Sequence, residues 1–225
     1  MSSELRNRVI RRVSGQKVKG FPEKEIVVVD DCSNDGTKKI LKSLKINNNL
    51  QIIFKNKNEG KGSALKIGFM RTTGDVVVVQ DADMEYSPEE YNLLLEPFIT
   101  HGADVVYGSR FNAYRARRVM YFWHNVVNNF LTFLSNSFTN LNLTDMETGF
   151  KCFRGNIIRE IAPRLKSKRF GFEPEITARI AKIRGIRIFE VGISYEGRTY
   201  EEGKKINWID GLRAVWEVVK FNLFD

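Results

Sequence analysis

Histidine and cysteine are scarce in this chain of 225 residues, with two of each. Cys32 and Cys152 lie far apart and show no metal-ligand spacing, which excludes a zinc-cysteine module. So low a cysteine content also argues against a disulfide framework and points to a reducing compartment. His101 and His124 both stand away from the main acidic cluster in sequence, which fits chemistry that needs no dedicated histidine base. An apolar leader is missing too: Met1 to Val18 is polar and basic, unlike a signal peptide. Long uninterrupted apolar runs are absent. Val119 to Thr144 has no fully charged residue and is long enough to span a bilayer. Asn125, Asn128, Asn129, Asn136, Asn140 and Asn142 interrupt it, and that many amides are costly in hydrocarbon. The stretch therefore predicts an amphipathic helix, in the core or at an interface. No repeat, low-complexity tract or linker divides residues 1–225, which read as one domain.

What is present is positive charge. Lys and Arg number 36 against 27 Asp and Glu, a net charge of +9, which favours anionic partners. The basic residues are interleaved with acids and carry no recognised nucleic-acid motif, so nucleic acid is not the expected partner. A hydrophobic content of 42% supports a substantial core.

The most informative segment is Val76 to Glu85. Four valines lead into Gln80, Asp81, Ala82, Asp83, Met84 and Glu85. A β-branched run without a helical stripe predicts a strand buried on both faces. Carboxylates at its C-terminal end fall where open α/β sheets bind ligands. Residues two apart in extended chain point the same way, so Asp81, Asp83 and Glu85 are expected to converge on one hard cation, Mg2+ or Mn2+. An Asp-x-Asp phosphatase reading fits less well, because Met84 stands where that motif has Thr or Val. Around this segment strands and helices alternate from Glu25 to Asp81, which predicts a mainly parallel sheet flanked by helices.

Other constellations are weaker singly. Asp30 and Asp31 end the first recognisable strand, where a carboxylate can accept from a nucleobase N–H or simply cap a turn. Asn58-Glu59-Gly60-Lys61-Gly62-Ser63 opens a helix with glycines and backbone N–H groups that suit phosphate, without Walker spacing. Arg110 follows another strand end, with Arg115, Arg117 and Arg118 close behind, a group able to pair with phosphates. Arg198, Lys204 and Lys205 flank a glycine-containing loop before the last helix.

In order, these segments resemble the family-2 glycosyltransferases of GT-A fold, above all the dolichol- or polyprenol-phosphate mannose and glucose synthases. The likeness runs from Asp30-Asp31-Cys32-Ser33-Asn34-Asp35-Gly36-Thr37 through Asn58 to Ala64, Gly74-Asp75 and Asp81 to Glu85 with Pro88. It continues at Gly108-Ser109-Arg110, Thr144 to Lys151 and Gly197-Arg198-Thr199. The resemblance implies hexose transfer from a nucleotide sugar to a polyprenyl phosphate at the cytoplasmic membrane face, with Mg2+ or Mn2+. It implies that Asp31 contacts the base, that Lys61 lies near the nucleotide, and that Asp81, Asp83 and Glu85 serve the metal. Arg110, Arg118 and Arg198 would serve donor or acceptor phosphates, and Asp145 would face the acceptor; Asp83, Asp145 and Arg110 are the catalytic candidates.

The start departs from the family: nothing resembles its opening strand with a Pro-x-Tyr-Asn-Glu-like end. A sheet one strand short and a base pocket short of one wall are expected. Two further readings stay open. A hydroxyl acceptor would need a base, Asp145 or Glu147. A non-catalytic scaffold would pair through its unpaired sheet edge, as a homodimer for instance.

Overall fold

A computed structural model describes residues 3–44, 49–112, 118–169, 171–197 and 208–225. Arg115, Arg117, Arg198, Lys204 and Lys205 fall outside the described residues. The basic stretch at the start forms helix α1 (Ser3–Gly15), with Val9 buried. Strand β1 (Ile26–Asp30) follows, then α2 (Thr37–Ser43), β2 (Leu50–Phe54), α3 (Lys61–Phe69) and β3 (Val76–Val78). A 3-10 turn at Pro88–Glu90 feeds α4 (Tyr91–Thr100), and β4 (Val105–Ser109) leads to α5 (Phe122–Thr139). Then come β5 (Lys151–Arg154), α6 (Gly155–Ile161), α7 (Phe172–Ala181), β6 (Ile188–Gly192) and α8 (Trp208–Leu223).

The strands form two sheets. β1 and β2 pair in parallel, Ile26 beside Leu50 through Asp30 beside Phe54, as the alternation predicts. The other four strands run in the order β3-β5-β4-β6. The mainly parallel arrangement holds with one exception. β5 lies antiparallel to both β3 and β4, so β3, β4 and β6 share one direction and β5 runs against them. β5 is four residues long and slots between the two strands, Phe153 opposite both Val77 and Val105. Glu25, just before β1, accepts from the backbone N–H groups of Thr73 and Gly74 and so ties the start of β1 to the start of β3.

Two apolar clusters carry the packing. In one, Phe69 meets Phe153 edge-on at 5.9 Å and Phe172 at 5.9 Å, between α3, β5 and α7. In the other, Tyr86, Tyr91, Phe150 and Tyr195 cluster on the opposite side of β5. The uncharged stretch forms α5, an amphipathic helix. Leu131, Thr132 and Ser135 point inward, whereas Trp123, Val127, Phe130 and Phe133 form an exposed stripe at helical spacing. α5 packs against α8, where Leu212, Trp216 and Leu223 are exposed too. Among the described residues no helix is long and apolar enough to cross a membrane.

Candidate active site

The C-terminal end of β1 meets the glycine loop before α3. Asp31 accepts from the backbone N–H groups of Glu59 (3.1 Å) and Gly60 (2.6 Å) and from Lys55 Nζ (2.5 Å). Asn58 Nδ2 donates to the Asp31 carbonyl. The residue proposed for the base thus clamps the loop to the strand. The phosphate reading of this loop also needs correction. Glu59 N and Gly60 N go to Asp31, and Ser63 N donates to the Lys168 carbonyl, so these N–H groups are already used. Gly60 is obligatory on two counts: its φ is +99°, and a Cβ would lie 2.6 Å from the Lys168 carbonyl oxygen.

This clamp aims Lys61, the first residue of α3, across the sheet. Its ammonium lies 2.9 Å from Asp81 Oδ2 and 2.9 Å from Glu173 Oε1. Burial opposes the charge on Lys61, but the two carboxylates outweigh it and raise its pKa well above the ordinary value. Gly149 leaves room for Asp81 on a third side. A Cβ there would lie 2.5 Å from Asp81 Oδ2 and 2.8 Å from the Tyr86 ring, while Gly149 N donates to Tyr86 Oη at 2.9 Å. The strand end and the Thr144-to-Gly149 segment, far apart in sequence, therefore share one contact.

The convergence of Asp81, Asp83 and Glu85 does not hold. Beyond β3 the chain turns, with Met84 at φ +63°, so the two-residue repeat of extended chain is lost. Glu85 N donates to Asp83 Oδ1 at 3.2 Å, and Glu85 Oε2 accepts from Tyr195 Oη at 3.0 Å. Among the described residues no group of three His, Cys, Asp or Glu side chains is arranged to hold a metal. A smaller set fits better. Mg2+ and Mn2+ are commonly held by one or two carboxylates together with substrate phosphates. Asp81 and Asp83 are half-buried oxygen donors on one turn, and the Lys61 ammonium already sits as a stand-in cation on Asp81. Glu85, turned to Tyr195, is outside that set.

Arg110, just past β4, and Asp145 are brought together across 35 residues. Arg110 Nε and one terminal nitrogen each lie 2.7 Å from a different Asp145 oxygen, and Arg110 N adds a third bond at 3.0 Å. Asp145 is fully buried and Arg110 nearly so. Its engaged oxygens make Asp145 the holder of Arg110. Arg110 also stacks on Tyr195, 5.2 Å from the ring centroid. Arg118, exposed, donates to the Gly197 carbonyl at 3.1 Å, and its backbone N donates to the Tyr195 carbonyl. Tyr86, with its ring 5.5 Å from Tyr195, joins this group to the Asp81 contact.

Sequence reading missed Glu173, Glu190, Tyr86 and Tyr195. Glu173 reads as an ordinary acid in the first turn of α7, and its partner is visible only in three dimensions. Glu190 accepts from Thr144 N and Asp145 N and so shapes the turn that delivers Asp145. Lys151, buried, does the same from below by donating to the Met146 and Thr148 carbonyls.

Glu147 differs from its neighbours, since its Oε1 is buried without a hydrogen-bond partner. Burial first, then the charge of Glu173, push its pKa up to about 8. The folded chain thus keeps a proton that the unfolded chain releases in the ordinary carboxylate range. The associated stability is present below that range and fades as pH rises toward the folded value. Glu147→Gln, neutral at every pH, should match wild type in acid and melt progressively higher than wild type from pH 5 to pH 9. Parallel melting curves across that range would contradict the assignment.

The fold is that of GT-A glycosyltransferases. The chain superposes with TM-score 0.70 on glucosyl-3-phosphoglycerate synthase from Mycobacterium tuberculosis, solved with Mn2+, UDP and phosphoglyceric acid. The superposition covers 100% of this chain and 76% of that one at 18% identity. Residues 6–162 match the Glycosyl transferase family 2 domain, and the chain belongs to that family. It is a glycosyltransferase. It is 32% identical over 213 residues to undecaprenyl-phosphate mannosyltransferase of Micrococcus luteus, covering 90% of this chain and 84% of that protein. Over 87 residues it is 41% identical to dolichol-phosphate mannosyltransferase of Pyrococcus furiosus, covering 39% of this chain and 24% of that one.

Proposed function

We propose that this glycosyltransferase moves a hexose from a nucleotide sugar to a polyprenyl phosphate at a membrane surface, with Mg2+ or Mn2+ at Asp81 and Asp83. The observation that carries this reading is the contact of Asp81 with Lys61 on one side and Gly149 on the other. It joins a cation-binding strand end to the segment that orders Arg110. The names of the mannosyltransferase relatives supply the acceptor class, and the M. tuberculosis complex with Mn2+ and UDP supplies the donor class.

When bound, the cation would act as a Lewis acid that neutralises the diphosphate leaving group. The chain's own residues do the rest. Asp31 holds the glycine loop, and through Gly60 it fixes the root of Lys61. Arg110, braced by Asp145 and Tyr195 in one geometry, would serve phosphate oxygens as the cationic half of a charge-balanced pair. An acceptor phosphate oxygen bonds to the anomeric carbon as the bond from that carbon to the diphosphate breaks on the opposite face, with inversion. A phosphate monoester has a second pKa near ~6 and is already largely anionic, so no carboxylate base is required. That agrees with the site: Asp145 is engaged by Arg110, and Glu147 is pushed toward its protonated form. A hydroxyl acceptor would find neither of these acids ready as a base.

The exposed stripe of α5 fits a lipid surface, with Arg118 close to its start. Replacing Trp123 and Phe133, 74% and 69% exposed, by Ala should weaken binding to anionic vesicles at least about tenfold without lowering the melting temperature. Unchanged co-sedimentation would remove the stripe from the membrane reading. The reaction itself is tested by supplying labelled GDP-mannose or UDP-glucose, Mn2+ and undecaprenyl phosphate in vesicles. Label in the lipid fraction is expected; no transfer from either donor would overturn the proposal.

A further inference from the structure

The cation place on Asp81 is taken by a cation that belongs to the chain. Lys61 Nζ sits 2.9 Å from Asp81 Oδ2 and 2.9 Å from Glu173 Oε1, a bridge between two carboxylates. Resting on the transferase reading above, we infer that Lys61 is the resident counter-ion of Asp81. Its ammonium makes divalent-cation binding depend on a nucleoside diphosphate: the two enter together, as Lys61 gives up Asp81 and turns to the phosphates.

Three features support this assignment. The first is charge. Asp81, Asp83 and Glu173 outnumber the one ammonium, but Lys61 neutralises Asp81 itself, so a divalent ion arriving alone must displace that ammonium or sit beside it at contact distance, which disfavours it. A diphosphate arriving with the ion supplies the missing anion and gives the ammonium a new partner. The second is mobility. Asp81 has a short side chain lying against Gly149, and Glu173 is held on the first turn of α7 with 5% exposure. Lys61 is no more exposed than Asp81, but its flexible four-carbon stem makes it the group able to swing away. The third is connection. Lys61 follows Gly60, whose N–H is held by Asp31, so the ammonium is rooted in the β2–α3 loop that Asp31 ties to the end of β1.

This role differs from phosphate binding alone. A lysine that only binds phosphate strengthens nucleotide binding and leaves the metal affinity of the nucleotide-free protein unchanged. A resident counter-ion suppresses that metal affinity. The test is Mn2+ binding followed by the electron paramagnetic resonance signal of free Mn2+. It uses the full chain, without nucleotide and with UDP or GDP. In wild type, nucleotide should tighten Mn2+ binding at least about tenfold. Lys61→Met should bind Mn2+ without nucleotide at least about tenfold more tightly than wild type, and the nucleotide effect should shrink. Lys61→Gln, neutral but able to hydrogen-bond both carboxylates, should do the same and serves if the Met variant does not fold. Lys61→Arg, which keeps the charge, should stay like wild type. The inference is overturned if neither neutral variant gains Mn2+ affinity without nucleotide. If wild type still binds Mn2+ with nucleotide in that case, the transferase reading survives. If no protein binds Mn2+ in any arm, both fall.

Discussion

Arg110→Ala should destabilise the protein by about 3–5 kcal/mol, because it strands a fully buried carboxylate. Asp145 has no exposed surface, and Arg110 supplies three of the bonds to its oxygens. For a chain of this length such a loss lowers the melting temperature on the order of 10 °C. The double replacement Arg110→Met with Asp145→Leu removes both charges and should recover much of that loss, since a buried pair stabilises little over well-packed apolar groups. Chemical denaturation of the three proteins checks this. A single variant within about 1 kcal/mol of wild type would show that the pair is not buried as described. The double variant should still lack transfer, which separates the charge of Arg110 from its structural effect.

Asp81→Asn should reduce transfer by a factor on the order of 10² to 10³, with the melting temperature little changed. The size follows from the cation's contribution of several kcal/mol to the leaving group, at tenfold per 1.36 kcal/mol. Stability is spared because Lys61 keeps its second partner, Glu173, and the amide still fits against Gly149. Single-turnover rates at saturating donor are the measurement. A loss below about tenfold would place the cation elsewhere.

Much of the fold was legible because its signals are local. Ile26 to Val29 and Val76 to Val79 are β-branched runs, and the stripe from Leu212 to Leu223 repeats at helical spacing. The ordered motifs gave the family, which the match over residues 6–162 establishes. Strand partnership was not legible. The pattern of Lys151 to Arg154 marks a strand but carries no information on its neighbours or direction, so the antiparallel insertion of β5 was missed. The carboxylate convergence failed on a single dihedral, the positive φ of Met84, in a residue type that seldom adopts it. The pairings of Asp145 and Glu173 were not legible for a different reason. Their partners, Arg110 and Lys61, are distant in sequence, and a carboxylate's role depends on what neutralises it. Asp31, Lys61, Asp81, Arg110 and Asp145 were named one by one; which residues they pair with was a property of the fold.

The most direct measurement is calorimetric titration of UDP and of GDP into the full chain, with and without Mn2+. One nucleotide should bind, with affinity falling at least about tenfold when Mn2+ is withheld and again when Asp81 is replaced by Asn. Failure of both nucleotides to bind, or binding indifferent to Mn2+ and to Asp81, would contradict a donor site built on the strand end at Asp81.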